Sequence, residues 1–120
     1  MTYPIFENEA DILAMTYYHT ATIKRPRHVT RGYLDEFVEE VIYEDIPCAI
    51  SFTQGSSVDL TDTTQPIQYL AKLFARPEID VKAGDIILAN VLGHEYEFKA
   101  GEGYPYQSHI EVPLIRNEDA

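Results

Sequence analysis

Tryptophan is absent from this chain of 120 residues, cysteine occurs once, and only nine lysines and arginines face twenty aspartates and glutamates. Each shortage excludes something. A net charge of −11 leaves little with which to displace counterions from a phosphate backbone, so random duplex binding is not expected. The same charge suits plain solubility through repulsion, or an acidic wall along which DNA passes without being gripped. Cys48 has no second cysteine to pair with. Set in the apolar run IPCAISF, it reads as a small buried hydrophobe rather than a nucleophile. No apolar run approaches the ~18 residues of a membrane span. The opening MTYPIFENEADILAM has neither a basic leader nor a long apolar core. The expectation is a chain made and kept in a cytoplasm, with no membrane partner.

What is present points to strands. Nine tyrosines and five phenylalanines suit pleated, half-buried surfaces. Residues 1–12 form an N-terminal arm, either a short helix or an extended segment. LAMTYYHTATI, 13–23, alternates as a strand with Leu13, Met15, Tyr17, His19, Ala21 and Ile23 on one face. KRPRHVTRG follows and, with Pro26 and Gly32, reads as a loop that holds four of the nine basic residues: Lys24, Arg25, Arg27 and Arg31. The next block carries Asp35, Glu36, Glu39, Glu40, Glu44 and Asp45. A basic loop thus adjoins an acidic strand, and the two either pair locally or face different partners.

Two strands are expected near 36–44 and 47–53, bent at Pro47; a helix over 34–43 is the competing reading, and Val38, Val41, Ile42 and Tyr43 favour the strand. The segment 53–66 is the longest polar loop, and Gln54, Gly55, Ser56, Ser57, Asp59 and Asp62 are its candidates for an assembly or channel role. IQYLAKLFA, 67–75, reads as a strand. Pro77, Gly84, Asp85 and Gly93 are structural turn residues. Gly84 is expected at positive φ, and Gly93 in a hairpin between DIILANV and HEYEFKA. HIEVPLI is a last strand, placed at an edge by Pro113, and residues 116–120 are a frayed tail. Short strands divided by Gly and Pro turns predict a mainly β, single-domain small β-barrel spanning 1–120, with long polar loops.

Chemistry is hard to find. His19, His28, His94 and His109 match no metal spacing such as HxxxH or HExxH, and no GxxxxGK cradle exists, so no metal and no cofactor are expected. Ser108 and His109 are sequence neighbours, which point to opposite faces if extended and make a poor nucleophile and base. Glu78, Asp80 and Asp85 cluster at a turn. A hydrolytic carboxylate pair is one reading, and acids that accept local backbone N–H groups the other and better one. The profile favours a part of an assembly over an enzyme.

Three stretches then take the reading further: VIYEDIPCAISF, KLFARPEIDVKAGDIILANVLGHEYEFKAG and GYPYQSHIEVPL. In this order, and over roughly half of the chain, they resemble the minor capsid proteins of tailed phages of Gram-positive bacteria. That family is similar to the head-closure, or stopper, proteins of the head–tail connector. The resemblance implies a compact β-barrel with extended loops and no catalysis or cofactor. Its matched positions Pro77, Glu78, Ile79, Asp80, Gly84 and Asp85 read as structural. SHIEVPL departs from the pattern at Ile110 and Pro113, which puts the pairing of the last strand in question.

The implied partners are copies of the chain in a ring, a portal or adaptor protein on the head side, and a tail or tail-completion protein on the other. DNA would pass through without specific binding. The implied location is the host cytoplasm during assembly, then the virion. Lys24, Arg25, Arg27 and Arg31, against Asp35, Glu36, Glu39 and Glu40, are the candidate subunit interface. Rival readings are an adaptor or tail-completion subunit of the same connector, and a β-barrel that binds a small ligand.

Overall fold

The computed structural model describes residues 5–53 and 70–116, with backbone alone for residues 5–8. The chain opens with helix α1, Ile5–Ala14, followed by strands β1 His19–Arg31, β2 Leu34–Phe52, β3 Ala71–Ala75, β4 Ile86–Val91, β5 His94–Ala100, β6 Tyr104–Pro105 and β7 Ile110–Arg116. They form one seven-stranded sheet in the order β3-β2-β1-β4-β5-β7-β6, and a further ladder joins β3 to β7. The mainly β expectation is met, and that last ladder returns the sheet to its own first strand.

The circuit has one lining. Ala21 and Ile23 from β1, Cys48 and Ile50 from β2, and Ala71, Leu73 and Ala75 from β3 are buried. They meet Ile87 and Ala89 from β4, Phe98 and Ala100 from β5, and Ile110, Val112 and Leu114 from β7. Each strand contributes residues two apart, as the period of a pleated strand demands. Alanine alternates with larger side chains along this lining, so that small and large residues interdigitate.

Several sequence expectations are corrected. The strand predicted from Leu13 begins at His19. Residues 12–17 instead close α1 through i→i+3 bonds from Met15, Thr16 and Tyr17 to the carbonyls of Ile12, Leu13 and Ala14. The predicted loop 24–31 is strand: β1 runs through Arg31 and pairs with β2 from Arg31↔Leu34 down to His19↔Cys48. Gly32 holds φ 65° in the first position of the two-residue turn, which is what lets so tight a hairpin form.

The two predicted strands either side of Pro47 are one, β2. The irregularity lies before the proline, where the register slips between Ala21 and Lys24 and Asp45 takes φ 50°. Such bulges bend and twist a strand without ending it.

β7 is not an edge strand. It pairs with β3 on one side, and on the other with β6 at 110–111 and β5 at 114–116. Pro113 falls in the gap between those two short ladders, where its missing N–H is not called for. The predicted segment 67–75 is strand from Ala71. The candidate loop residues Gln54, Gly55, Ser56, Ser57, Asp59 and Asp62 lie outside the described residues, as does the tail beyond Arg116.

Candidate functional site

The long β1–β2 hairpin is the feature that the sequence least announces. β4 pairs with β1 only as far as Lys24, and β3 pairs with β2 only from Ala49. Beyond that, Arg25–Arg31 and Leu34–Val41 form a two-stranded ribbon to which, among the described residues, no third strand adds. Its tip is apolar and open. At its turn Tyr33 is 95% exposed and Leu34 59%, and Phe37, 75% exposed, lies further down on the face opposite Leu34.

Register sorts the side chains of the ribbon. Directly paired residues share a face, so Arg27, Val29 and Arg31 lie on the same face as Val38, Glu36 and Leu34, with Glu40 next along. Pro26, His28 and Thr30 share the opposite face with Glu39, Phe37 and Asp35. Two ion pairs cross the ribbon diagonally, Lys24–Glu39 and Arg27–Glu40, each at 3.8 Å, and His28 Nε2 lies 3.6 Å from Asp35 Oδ1. The His28 ring also lies against Phe37, centroids 5.3 Å apart. The basic and acidic candidates therefore stand beside each other on adjacent strands. Arg31 and Glu36 keep no partner among the described residues.

Arg25 stands apart from the other basic candidates. Its Nε and Nη2 donate to the two carboxylate oxygens of Asp85, each at 2.9 Å, and Nη2 also donates to the Asp80 carbonyl. The hydrogen bond to Asp85 raises the pKa of Arg25 above the ordinary guanidinium value. Asp85 is 1% exposed, and its Oδ2 accepts the Lys82 N–H as well. The Asp85 N–H donates to the Lys82 carbonyl, and Gly84 sits in that turn at φ 94°, the third-position requirement of a type II turn. The Asp80 N–H donates to the Tyr43 hydroxyl. Two strands of the hairpin are thus bolted to the 80–85 turn where the ribbon leaves the sheet. Sequence reasoning found the turn residues and missed the bolt. A separation of 60 residues leaves no local signal.

The remaining candidates are structural in their surroundings. Pro77 and Glu78 lie in a turn closed by the Ile79 N–H on the Arg76 carbonyl, and Arg76 reaches both Glu78 and Asp11 of α1. Gly93 turns the β4–β5 hairpin at φ 91° and donates its N–H to Asn90 Oδ1. Ser108 and His109 do not point apart, contrary to expectation. Ser108 precedes β7 in a bend, and its Oγ lies 2.9 Å from His109 Nδ1, with His109 Nε2 2.9 Å from Glu111. Tyr106 stacks on the same imidazole at 4.9 Å, so the chain Ser108–His109–Glu111 fastens the 106–109 turn to β7. Among the described residues no cluster of His, Cys, Asp or Glu has metal-binding geometry. An open groove of about 450 Å³ lies outside the circuit, between Thr20, Thr22, Asp45, Leu88, Glu95 and Tyr96.

No protein-family model and no curated protein matches the chain. Among solved structures, the chain is similar to protein SF1141 from Shigella flexneri 2a, with a TM-score of 0.63, 12% identity, and 87% of this chain and 96% of that one covered. At that identity the likeness shows the fold alone. A looser likeness, TM-score 0.48 at 15% identity over 85% of this chain and 96% of the other, is to the phage-like element PBSX protein xkdH from Bacillus subtilis.

Proposed function

We propose that this chain is a non-catalytic structural subunit of a phage or prophage head–tail connector. In this reading copies form a ring below the portal or adaptor, close the DNA exit channel and receive the tail. The observation that carries it is the projecting β1–β2 ribbon, with both edges open among the described residues and Tyr33, Leu34 and Phe37 exposed along it. The three stretches that resemble the minor capsid family support it. So does a net charge of −11, which suits a conduit that does not hold its cargo.

We read the sheet as a small barrel, because every strand of the circuit β3-β2-β1-β4-β5-β7 has a paired neighbour on both sides. Its interior is filled by Ile23, Leu73, Ile87, Val112 and Leu114, which weighs against a ligand cavity inside it. The virion location belongs to this proposal too. No helix among the described residues is long and apolar enough to cross a membrane.

Deleting the gene from its phage or prophage and imaging the particles tests the reading. Heads that have lost DNA, beside complete unattached tails, are expected. Normally joined particles would overturn it.

A further inference from the structure

We propose that the ribbons of neighbouring copies pair edge to edge, the basic β1 edge of one against the acidic β2 edge of the next. This rests on the self-assembly part of the proposed function and names the surface that would carry it. Three observations meet here. First, both edges of the ribbon are open among the described residues, and an unpaired edge is a template for another strand. Second, the two edges differ in sign. β1 contributes Arg27 and Arg31, while β2 contributes Asp35, Glu36, Glu39 and Glu40. Third, strand direction fits rotational packing. β1 runs out to the tip and β2 runs back, so ribbons side by side and pointing the same way set β2 of one antiparallel to β1 of the next.

Charge decides between the two ways of joining edges. A two-fold contact would lay β1 on β1 or β2 on β2, with like charges opposite one another, which is destabilising. The head-to-tail contact puts Arg27 and Arg31 of one copy beside Glu36 and Glu40 of the next on the shared face. It gives a partner to Arg31 and Glu36, whose side chains have none among the described residues. A head-to-tail contact is the kind that closes rings. Pro26 lacks an N–H and limits the ladder to Arg27–Arg31, so the joint is short and its register is fixed by charge.

Three variants test this: Arg27→Glu/Arg31→Glu, Glu36→Lys/Glu40→Lys, and the quadruple exchange. Sedimentation reads self-association, and far-UV circular dichroism checks that each variant is folded. Each double variant should weaken association at least about tenfold, from two reversed pairs. A 1:1 mixture of the two doubles, and the quadruple variant alone, should recover it. Recovery in the mixture requires contact between copies, since a defect inside each chain would persist. Doubles that associate like wild type, a mixture that does not recover, or a wild-type chain still monomeric at about 1 mM would each overturn the inference. If the doubles also restore joined particles to the deleted phage, the ribbon interface fails while the connector reading stands.

Discussion

At the scale of residues, three positions carry more than their sequence neighbourhood suggests. Leu92 is 76% exposed and held at φ 53°, a left-handed conformation that costs a branched side chain roughly 1 kcal/mol or more. Leu92→Asn keeps the tight β4–β5 turn with a residue that tolerates it. Its expected effect is a gain of about 0.7 kcal/mol, a melting temperature roughly 3 °C higher. A melt no higher than wild type would mean that the Leu92 side chain makes a compensating contact.

Asp85 is the opposite case. Asp85→Asn leaves the Arg25 guanidinium without its carboxylate and should cost about 3 kcal/mol by urea unfolding. The double change Arg25→Met/Asp85→Leu should recover part of that, because an apolar pair leaves no stranded charge. Cys48 gives a pH test. Burial raises its thiol from 9.0 to about 12. A raised folded pKa means stability that is intact below the unfolded value and lost as pH climbs toward the folded one. The loss should therefore begin near pH 9 and grow by about 1.4 kcal/mol per unit. Tyr17, also raised by burial, adds to it in the same direction. Melts of wild type and Cys48→Ala from pH 8 upward would show it, with a shallower alkaline decline in the variant. Parallel declines would assign the effect elsewhere.

Among the elements, β4, β5 and their turn were legible because alternation, apolar content and a glycine agree locally. HEYEFKA buries Phe98 and exposes Glu95 and Glu97, as its period says. The ribbon was illegible for the same kind of reason. Proline and charge mark 24–31 as a loop in any local reading, and only a partner strand at 34–41 makes it extended. Pro113 misled in the other direction, since nothing in the sequence reveals that two short ladders leave a gap for it. The exposed ribbon contributes nothing to the lining of the circuit. Replacing residues 27–38 by an Asn-Gly turn should leave the melting temperature within a few degrees of wild type while abolishing self-association. A molecule that unfolds on this change would make the ribbon part of the core. The ends of the undescribed 54–69 segment are held together by β2–β3 pairing and by the Thr53 N–H on the Leu70 carbonyl. Excising 54–65 should spare the fold in the same way, and damage assembly if that segment has the role its composition suggests.

For the whole molecule, stability and function divide between two parts of one sheet. The circuit is cross-braced: β7 touches β3, β5 and β6, and β1 lies between β2 and β4. Opening it means exposing Ile23, Leu73, Ile87 and Leu114 together, so its amides should exchange only through global unfolding. Among the described residues the ribbon has a single ladder and no third strand, and its side chains are mostly exposed. A lone hairpin is marginal in water, even when its base is fastened by Arg25–Asp85 and Tyr43–Asp80. Hydrogen exchange by mass spectrometry should therefore show two classes in the dilute monomer. Residues 86–91 and 110–115 should be slow, and residues 27–38 fast. Raising the concentration until copies associate should protect the ribbon and leave the circuit unchanged, since only the ribbon gains a ladder. Equal, slow exchange of both parts in the monomer would show the ribbon to be rigid without neighbours. Protection that instead appears on the groove between β1, β4 and β5 would move the interface to that face.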